Sequence, residues 1–331
     1  GSSSHTNFGD KQLLYVKVDA RGEEQWRQNY SLFGREQIID CKATPDGGYI
    51  ATGVVRDIGG SLGNTFANAF LQKVDGLGQQ EWIKLFYNTN MSGGYAVTNC
   101  IDSGFLMVGA ISDNSNDIWL VKTNALGDTL WTKSYNDPFA EAPHSIESLP
   151  NGDFIIGAMN SISISDKHNF LMRIDSVGDT LWTKNYGLVS SLTQSGGLEV
   201  TPDGGFLLAG SNGNSAYVVK TDSLGNEQWN SSVGGSGLHQ ANSIALSSDS
   251  SYVVTGRSPS KLLLYKLNTA GQTIWEKQYG SFFSSNNRWK GYSVHCNTDG
   301  SIVAAGTKTN NSDVAKNIYI VKTDSTGELY S

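Results

Sequence analysis

Short apolar runs separated by polar turns extend along the whole chain, at a spacing typical of β-strands. Two examples are residues 217–220 (YVVK) and 318–322 (IYIVK), which are rich in β-branched and aromatic residues and too short for helices. Each such run is followed by Asp or Asn, two spacers, Gly and then an aromatic residue. This cadence recurs seven times and ends at Trp26, Trp82, Trp131, Trp182, Trp229, Trp275 and Tyr330. A repeat of this period cannot bury its apolar face alone, so the units are predicted to stack on one another.

Two kinds of hairpin turn alternate along the chain. The outer turn, Asp/Asn-x-x-Gly, occurs seven times, from Asp19–Gly22 to Asp324–Gly327. The inner turn, of the Asp-Gly-Gly type, occurs six times and begins at Asp46, Asp102, Asn151, Asp203, Asp249 and Asp299. The first side chain of such a turn can accept hydrogen bonds from turn amides, and Gly tolerates a positive φ. With a strand before and after each turn, every full unit is predicted to contain four strands.

Four-stranded units of this length predict an all-β fold, a β-propeller. The Trp-to-Trp spacing is 46 to 56 residues, which fits blades of roughly 40–50 residues. Seven outer turns against six inner turns favour seven blades, of which the first is incomplete. Residues Ser4 to Phe8 would add a strand to that first blade, and residues 327–330 would form a shortened last strand. The alternative is six blades, with the first hairpin a remnant of a preceding repeat or a clasp on the last blade.

The apolar strand, Asp/Gly turn and Trp-bearing strand resemble the repeat of bacterial extracellular β-propellers of the quinoprotein-like type. The resemblance covers Leu13 to Tyr330 and implies an extracellular, periplasmic or cell-surface location. Quinone-cofactor enzymes of that class carry an adjacent-cysteine disulfide and acidic calcium ligands. The three cysteines here, Cys41, Cys100 and Cys296, include no adjacent pair, so no cofactor is predicted.

Composition narrows the range of partners. The 331 residues carry 24 basic and 31 acidic side chains, a net charge of −7, with no basic stripe; nucleic acid and anionic membranes are therefore disfavoured. No apolar run reaches the ~18–20 residues of a membrane span, and neither Cys-x-x-Cys nor His-x-x-x-His occurs, so no membrane segment and no metal site are predicted. Residues 1–10 are interpreted as a flexible segment or a remnant of cloning, and residues 11–331 as one propeller domain, expected to be monomeric.

The two ends of each predicted blade differ in sequence regularity. Inner and outer turns share one end and are short and uniform, whereas the remaining connections share the other end and are all different. Binding loops need different residues while backbone turns need constant ones, so a ligand site is predicted at the irregular end. The candidate residues are Phe282, Phe283, Arg288, Trp289, His144, His239, Arg35 and Glu141. The stretch from Phe282 to Trp289 combines aromatic rings with hydrogen-bond donors, which suits a sugar ring or a peptide; packing on a neighbouring blade is the alternative.

The first strands supply a second set of candidates. Alignment on the following inner turn places Lys42, Thr98, Glu147, Glu199, Ala245 and His295 at one equivalent position. Lys42, Glu147, Glu199 and His295 could line a channel and form an acid–base cluster if they converge. Glycoside hydrolysis would need two carboxylates about 5–10 Å apart. A solvated wall or an inter-blade salt bridge is the alternative.

Three functions remain open from the sequence. The first is a non-catalytic secreted or surface propeller that binds a carbohydrate, peptide or protein through its irregular end. The second is a hydrolase or lyase acting on polysaccharide with Glu147, Glu199 or His295. The third is a structural spacer of a larger surface protein. Because no catalytic motif is recognisable, the non-catalytic function is preferred.

Overall fold

The computed structural model describes most of the chain, as strands and the turns between them. The described residues are 2–4, 11–31, 34–57, 67–87, 92–113, 115–135, 141–161, 163, 166–189, 196–212, 215–233, 240–257, 261–280, 288–309 and 316–330. Every regular element among them is a β-strand. Within this part of the chain, no helix offers the length and apolarity needed to cross a membrane.

The strands form an incomplete N-terminal unit followed by six blades of the four-strand type, which confirms the predicted propeller fold. The N-terminal unit consists of β1 (Ser2–Ser4), β2 (Lys11–Val18) and β3 (Glu24–Tyr30). Blade 1 is β4 (Gly34–Ala43), β5 (Tyr49–Asp57), β6 (Ala67–Val74) and β7 (Gln80–Phe86), and blade 2 is β8 (Ser92–Asn99), β9 (Phe105–Asp113), β10 (Ser115–Thr123) and β11 (Thr129–Tyr135). Blade 3 is β12 (Glu141–Ser148), β13 (Phe154–Ser161), β14 (Lys167–Ile174) and β15 (Thr180–Val189).

Blades 4 to 6 repeat the same strand order. Blade 4 is β16 (Gly197–Val200), β17 (Phe206–Asn212), β18 (Ser215–Thr221) and β19 (Glu227–Val233). Blade 5 is β20 (Gln240–Leu246), β21 (Tyr252–Arg257), β22 (Leu262–Leu267) and β23 (Thr273–Tyr279), and blade 6 is β24 (Arg288–Cys296), β25 (Ile302–Thr309) and β26 (Lys316–Thr323). The chain divides into two compact units, residues 1–160 with 172–182 and residues 161–171 with 183–331, and the division passes through blade 3.

The two ends of the repeat are described in part. In the N-terminal unit the described added strand is Ser2–Ser4, paired with Lys11 to Leu13; the rest of the predicted strand from Ser4 to Phe8 lies outside the described residues. In blade 6 the fourth strand is reduced to one bridge between Thr323 and Leu329. That bridge matches Thr123 with Thr129 in blade 2, so Tyr330 corresponds to Leu130. The assignment of Tyr330 to the Trp position is therefore wrong by one residue.

All thirteen turns at the uniform end have the same backbone geometry. In each, the first N–H donates to the fifth carbonyl and the fourth N–H donates to the first carbonyl, as in Asp19, Gly22 and Glu23. The fourth residue has a positive φ and is Gly in eleven turns, with Ser103 and Ser250 in the other two. In all seven outer turns the Asp or Asn side chain accepts the amides of the third and fifth residues. The predicted turn chemistry is confirmed.

Neighbouring sheets pack face to face through apolar side chains. Between blades 1 and 2, Ile50 and Leu71 pack with Val97, Met107 and the half-buried Trp82. Equivalent clusters join blades 4 and 5, and blades 5 and 6. Each fully buried aliphatic side chain of this size contributes about 1.5–3 kcal/mol to the stability of the fold. The apolar side chains between the sheets therefore stabilise the stacking of the blades, and a functional site is expected at the strand ends.

First strands carry a β-bulge at a repeated position. The pairing shifts between Ile38 and Asp40, so that Ile39 is the extra residue, and the same shift occurs at Tyr95, His144, Asn242 and Tyr292. Opposite the bulge, a Cβ on Gly53 would lie 1.9 Å from the Gln37 carbonyl oxygen. A bulge of this kind changes the direction of side chains that would otherwise alternate between the two faces of the sheet. Bulges are common next to functional sites.

Candidate functional site

The irregular end of the blades varies in connection length and sequence. Within a blade, the second and third strands are joined by one residue, Asn114, in blade 2 and by residues 58–66 in blade 1. Between blades, the connection is residues 31–33 before blade 1 and residues 280–287 before blade 6. The thirteen turns at the other end do not vary in length at all. Variation in the length of the connections is therefore confined to one end of each blade.

The eight candidates for that end fall into three groups. Phe282, Phe283 and His239 lie outside the described residues. Arg288 and Trp289 lie in β24, where their backbones pair with Thr309 and Lys308, and not in a loop as the sequence suggested. Arg35 is exposed near the start of β4, and Glu141 begins β12. Three first strands therefore start at the irregular end with candidate residues.

His144, a predicted ligand-binding residue of the irregular end, lies within strand β12. It is the bulged residue of β12, only 9% exposed. Its Nδ1 lies 2.9 Å from the Ser145 hydroxyl. The same bulge leaves Ile39 and Tyr292 exposed, so it does not by itself account for the burial of His144.

The first-strand candidates share one position in the sheet ladder, as predicted. Lys42 pairs with Ile50 and Glu147 with Ile155, and each lies two residues before the inner turn. Glu199 pairs with Leu207 and His295 with Val303 in the same way. We call this the inner-ladder position. It is next to the uniform turns and not at the irregular end.

Three ionisable side chains meet at the inner-ladder position of blades 1 and 3. Lys42 Nζ forms an ion pair with Glu147 Oε1, and these side chains are 34% and 26% exposed. Asp40, on the same strand as Lys42, accepts hydrogen bonds from the amides of Cys41 (2.8 Å) and Val97 (3.0 Å). Asp40 therefore connects blade 1 to blade 2, and Lys42 connects blade 1 to blade 3.

The environment favours the neutral form of both carboxyl groups. Burial raises the pKa of Glu147, while Lys42 opposes this shift and Asp40 adds to it. Burial likewise raises the pKa of Asp40, while Lys42 and the two amides oppose it. A carboxyl group with a raised pKa beside a lysine is typical of a general acid. The same pair of residues is also typical of a structural ion pair between blades.

The other two candidates, Glu199 and His295, lie in the second compact unit. Glu199 is half-buried and is close enough to Cys296 for its charge to help raise the pKa of that thiol to about 11, after burial as the main cause. His295 is exposed. Among the described residues, no group of three His, Cys, Asp or Glu side chains could hold a metal ion.

Strand length separates the two candidate regions. Arg35 and Lys42 lie seven residues apart on β4, and Glu141 and Glu147 lie six apart on β12. At about 3.3 Å per residue, each pair is roughly 20 Å apart. A ligand the size of one sugar ring held beside Arg35 or Glu141 would not touch the Lys42–Glu147 pair.

Sequence reasoning missed Asp40 and the buried polar groups of blade 1. At the position of Asp40 the other first strands carry small residues, Ala96, Ser145, Gly197, Ser243 and Ser293, and this contrast was a usable signal. Glu36 and Asn68, both fully buried, lie opposite the same residue, Val55, near the irregular end. Alternation along β4 alone does not predict that a carboxylate there is buried.

Comparison with known proteins identifies the fold and no family. No protein-family profile and no curated protein sequence matches the chain. Among solved structures, it is similar to a protein of unknown function from Dyadobacter fermentans, with 10% identity, a TM-score of 0.58 and coverage of 98% of this chain and 100% of that one. A second protein of unknown function, from Bacteroides caccae, has 10% identity, a TM-score of 0.54 and coverage of 84% and 93%.

Some of the similar structures carry enzyme names. The Hadza microbial sialidase Hz136 is 11% identical, with a TM-score of 0.55 and coverage of 94% of this chain and 73% of that one. At such identities the similarity concerns the propeller fold, which hosts unrelated activities.

Proposed function

We propose that this protein is a non-catalytic, secreted or cell-surface propeller that binds a glycan, peptide or protein through the irregular ends of its blades. The observation that carries the proposal is the contrast between the two ends. Thirteen turns keep one hydrogen-bonding geometry at one end, whereas connections at the other range from one residue to nine. Rigid strands with variable connections are the usual platform for recognition.

The location and repeat family belong to the same proposal. The resemblance of the repeat to bacterial extracellular propellers of the quinoprotein-like type supports a secreted, periplasmic or surface-anchored protein that acts as a monomer. The spacer function within a larger surface protein uses the same scaffold without a ligand. It predicts no specific binding at the irregular end.

The test compares matched variants on a glycan and peptide array. Phe282→Ala/Trp289→Ala removes two ring faces from the connection before blade 6 and from β24. We expect specific binding by the wild-type protein and a loss of at least about tenfold in this variant, as expected for aromatic residues at the centre of an interface. The control, Leu126→Ala/Leu224→Ala, removes exposed side chains from outer turns and is expected to bind like the wild type. Absence of specific wild-type binding, or equal loss in both variants, contradicts the proposal.

A second candidate function is acid–base chemistry on polysaccharide at the Lys42–Glu147 pair. The observation that favours it is the raised pKa of both Glu147 and Asp40 beside Lys42. If the pair were catalytic, Glu147→Gln would lower turnover of a polysaccharide about 100-fold or more and leave array binding intact. Under the proposed function, wild type and Glu147→Gln show the same background rate of sugar release.

A further inference from the structure

Basic residues are concentrated at the irregular end of blades 5 and 6, within the second compact unit. The segments that begin or end strands there, residues 256–262, 280–291 and 306–317, contain six basic residues and one acidic residue, Asp313. The chain as a whole has a net charge of −7, so this local excess has the opposite sign. We call the six residues the basic cluster: Arg257, Lys261, Arg288, Lys290, Lys308 and Lys316.

The sheet brings members of the basic cluster side by side from separate parts of the chain. Strands β21, β24, β25 and β26 are neighbours in one sheet. Arg257 in β21 pairs directly with Lys290 in β24. Two residues nearer the start of β24, Arg288 pairs with Thr309, which in turn pairs with Lys316. The sequence shows no basic stripe because these four basic residues come from three separate segments.

Like charges at paired positions of neighbouring strands lower the stability of a sheet. Local rules of this kind are broken mainly at functional sites. In blade 1, Arg35 and Arg56 also pair directly, but Glu36 and Asp57 adjoin them in the sequence. No member of the basic cluster has an acidic neighbour in the sequence. An anion bound at the cluster would offset the repulsion.

The spread of the basic cluster indicates a ligand with several anionic groups. Lys261 and Lys308 interact with other groups of the protein, so the argument uses the remaining four residues. Three inter-strand distances separate β21 from β26, roughly 14 Å in all. One carboxylate or sulfate group is much smaller than this. Trp289 lies between Arg288 and Lys290 in β24, and an aromatic residue beside polar groups suits a sugar ring.

We propose that the basic cluster binds an acidic polysaccharide that carries carboxylate or sulfate groups on several sugar rings. The inference rests on the proposed function and names the class of glycan that blades 5 and 6 recognise. Arg257 and Lys290 would bind one anionic group, and Arg288 and Lys316 a neighbouring one. Duplex nucleic acid is less suitable, because its negative charges follow one another about every 1.7 Å, much closer together than the paired positions of the cluster.

The test measures binding of fluorescently labelled probes to the full protein by anisotropy. The probes are an oligogalacturonate, which carries carboxylates, a dextran sulfate, neutral dextran, and single-stranded DNA with the same charge as the anionic sugars. We expect at least one anionic sugar to bind more tightly than dextran or DNA. Its affinity should fall at least about tenfold between about 50 and 200 mM salt, because binding that releases counterions depends steeply on salt.

Two variants remove positive charge from the cluster. Arg257→Gln/Lys290→Gln should weaken binding of the anionic sugar about tenfold, the scale of two exposed ion pairs. Arg288→Gln/Lys316→Gln should have a similar effect. Without ligand, the Tm of Arg257→Gln/Lys290→Gln should be no lower than that of the wild type, because this variant removes a like-charged pair.

The matched control changes the net charge equally at the other end of the blades. Lys84→Gln/Lys133→Gln removes two lysines that pair with Asp128 and Asp179 of outer turns. This variant should bind the anionic sugar like the wild type. Equal losses in the control and in the cluster variants would assign the binding to overall charge and overturn the proposal.

Three further results would overturn the proposal. The first is no binding of either anionic sugar, and the second is binding of DNA as tight as that of the sugar, which would assign the cluster to nucleic acid. The third is a lower Tm of Arg257→Gln/Lys290→Gln without ligand, which would show that the chain itself supplies the anionic partners. If a neutral glycan or a peptide binds on the array while both anionic sugars fail, the proposed function stands and this inference alone is wrong.

Discussion

The lysines of the third strands show how the surroundings within a blade require a particular side chain at one position. Lys73, Lys122, Lys220 and Lys266 are nearly buried and each pairs with the aspartate of its own inner turn, at 2.7 to 2.9 Å. A buried ammonium group is stable only with such a partner. Hydrogen bonds from these lysines lower the pKa of their aspartates. At Asp203, burial raises the pKa, but hydrogen bonds from Thr201 and Lys220 outweigh it and lower the pKa to about 2. The described residues of the N-terminal unit include no inner turn, and its Lys17 approaches the Gly76 carbonyl and the ring of Tyr49.

The pKa of Glu147 is shifted in the opposite direction, upwards. This shift gives a prediction for how the stability of the fold depends on pH. Its folded-state pKa is raised, mainly by burial. A carboxyl group of this kind stabilises the fold while it is protonated, below its unfolded pKa of about 4.3, and that contribution is lost as the pH rises through the folded pKa. We therefore expect the wild type to lose stability relative to Glu147→Gln as the pH rises above about 4.3.

Denaturant unfolding of both proteins at several pH values measures this difference. Lys42→Met/Glu147→Gln compared with Lys42→Met separates the effect of burial from that of the lysine. If the wild type gained stability over Glu147→Gln with rising pH, the attraction to Lys42 would exceed the cost of burial, and the assigned pKa direction would be wrong.

At the scale of elements, the close packing of successive blades depends on matched small residues. A Cβ on Gly94 in β8 would lie 2.0 Å from Thr52 Oγ1 in β5. The interface between blades 5 and 6 repeats this match with Gly291 and Thr255, at 2.1 Å. Between blades 4 and 5 the two equivalent residues are Ala209 and Ala241, both fully buried in one cluster. At the two interfaces with Thr52 and Thr255, the threonine hydroxyl therefore requires glycine on the next blade, whereas between blades 2 and 3 the equivalent residues are Val108 and Pro143.

This match predicts that a second substitution rescues the first. Gly94→Ala should cost about 2 kcal/mol, typical of overpacking, and Thr52→Ala about 1 kcal/mol, because its hydroxyl donates to the Phe70 carbonyl at 2.8 Å. The double variant should be more stable than Gly94→Ala alone. Urea unfolding of the three variants tests this, and simple additivity of the two costs would contradict the proposed contact.

At the scale of the molecule, the sequence predicts features that depend on neighbouring residues in the chain. It does not predict contacts between different blades. The turns from Asp19 to Gly22 and onward were predictable because Asp and Gly act within five residues. The inner-ladder register of Lys42 and Glu147 was predictable from alignment on those turns. An inter-blade salt bridge was one of the alternatives, but which residues form it was not predictable, because that depends on how the first strands of blades 1 and 3 approach each other. The bulge at His144 was not predictable, because a bulge leaves no signal in apolar alternation.

The two candidate regions lie at opposite ends of the blades. Uniform turns and the inner-ladder position lie at one end of each blade, and the variable connections lie roughly 20 Å away along the strands. The variable end differs between blades in both length and sequence, whereas at the inner-ladder position only the side chain differs, as between Lys42 and Glu147. Recognition at that end, without chemistry at the Lys42–Glu147 pair, is the central claim of the proposed function.

Hydrogen–deuterium exchange of the protein with and without its strongest array ligand tests this claim most directly. The proposed function predicts slower exchange in the connections at the irregular end, such as residues 58–66, 136–140 or 280–287. It predicts no change in the thirteen turns or in the strand ends that carry Lys42 and Glu147. Slower exchange at those turns or strand ends, with the irregular connections unchanged, would contradict it.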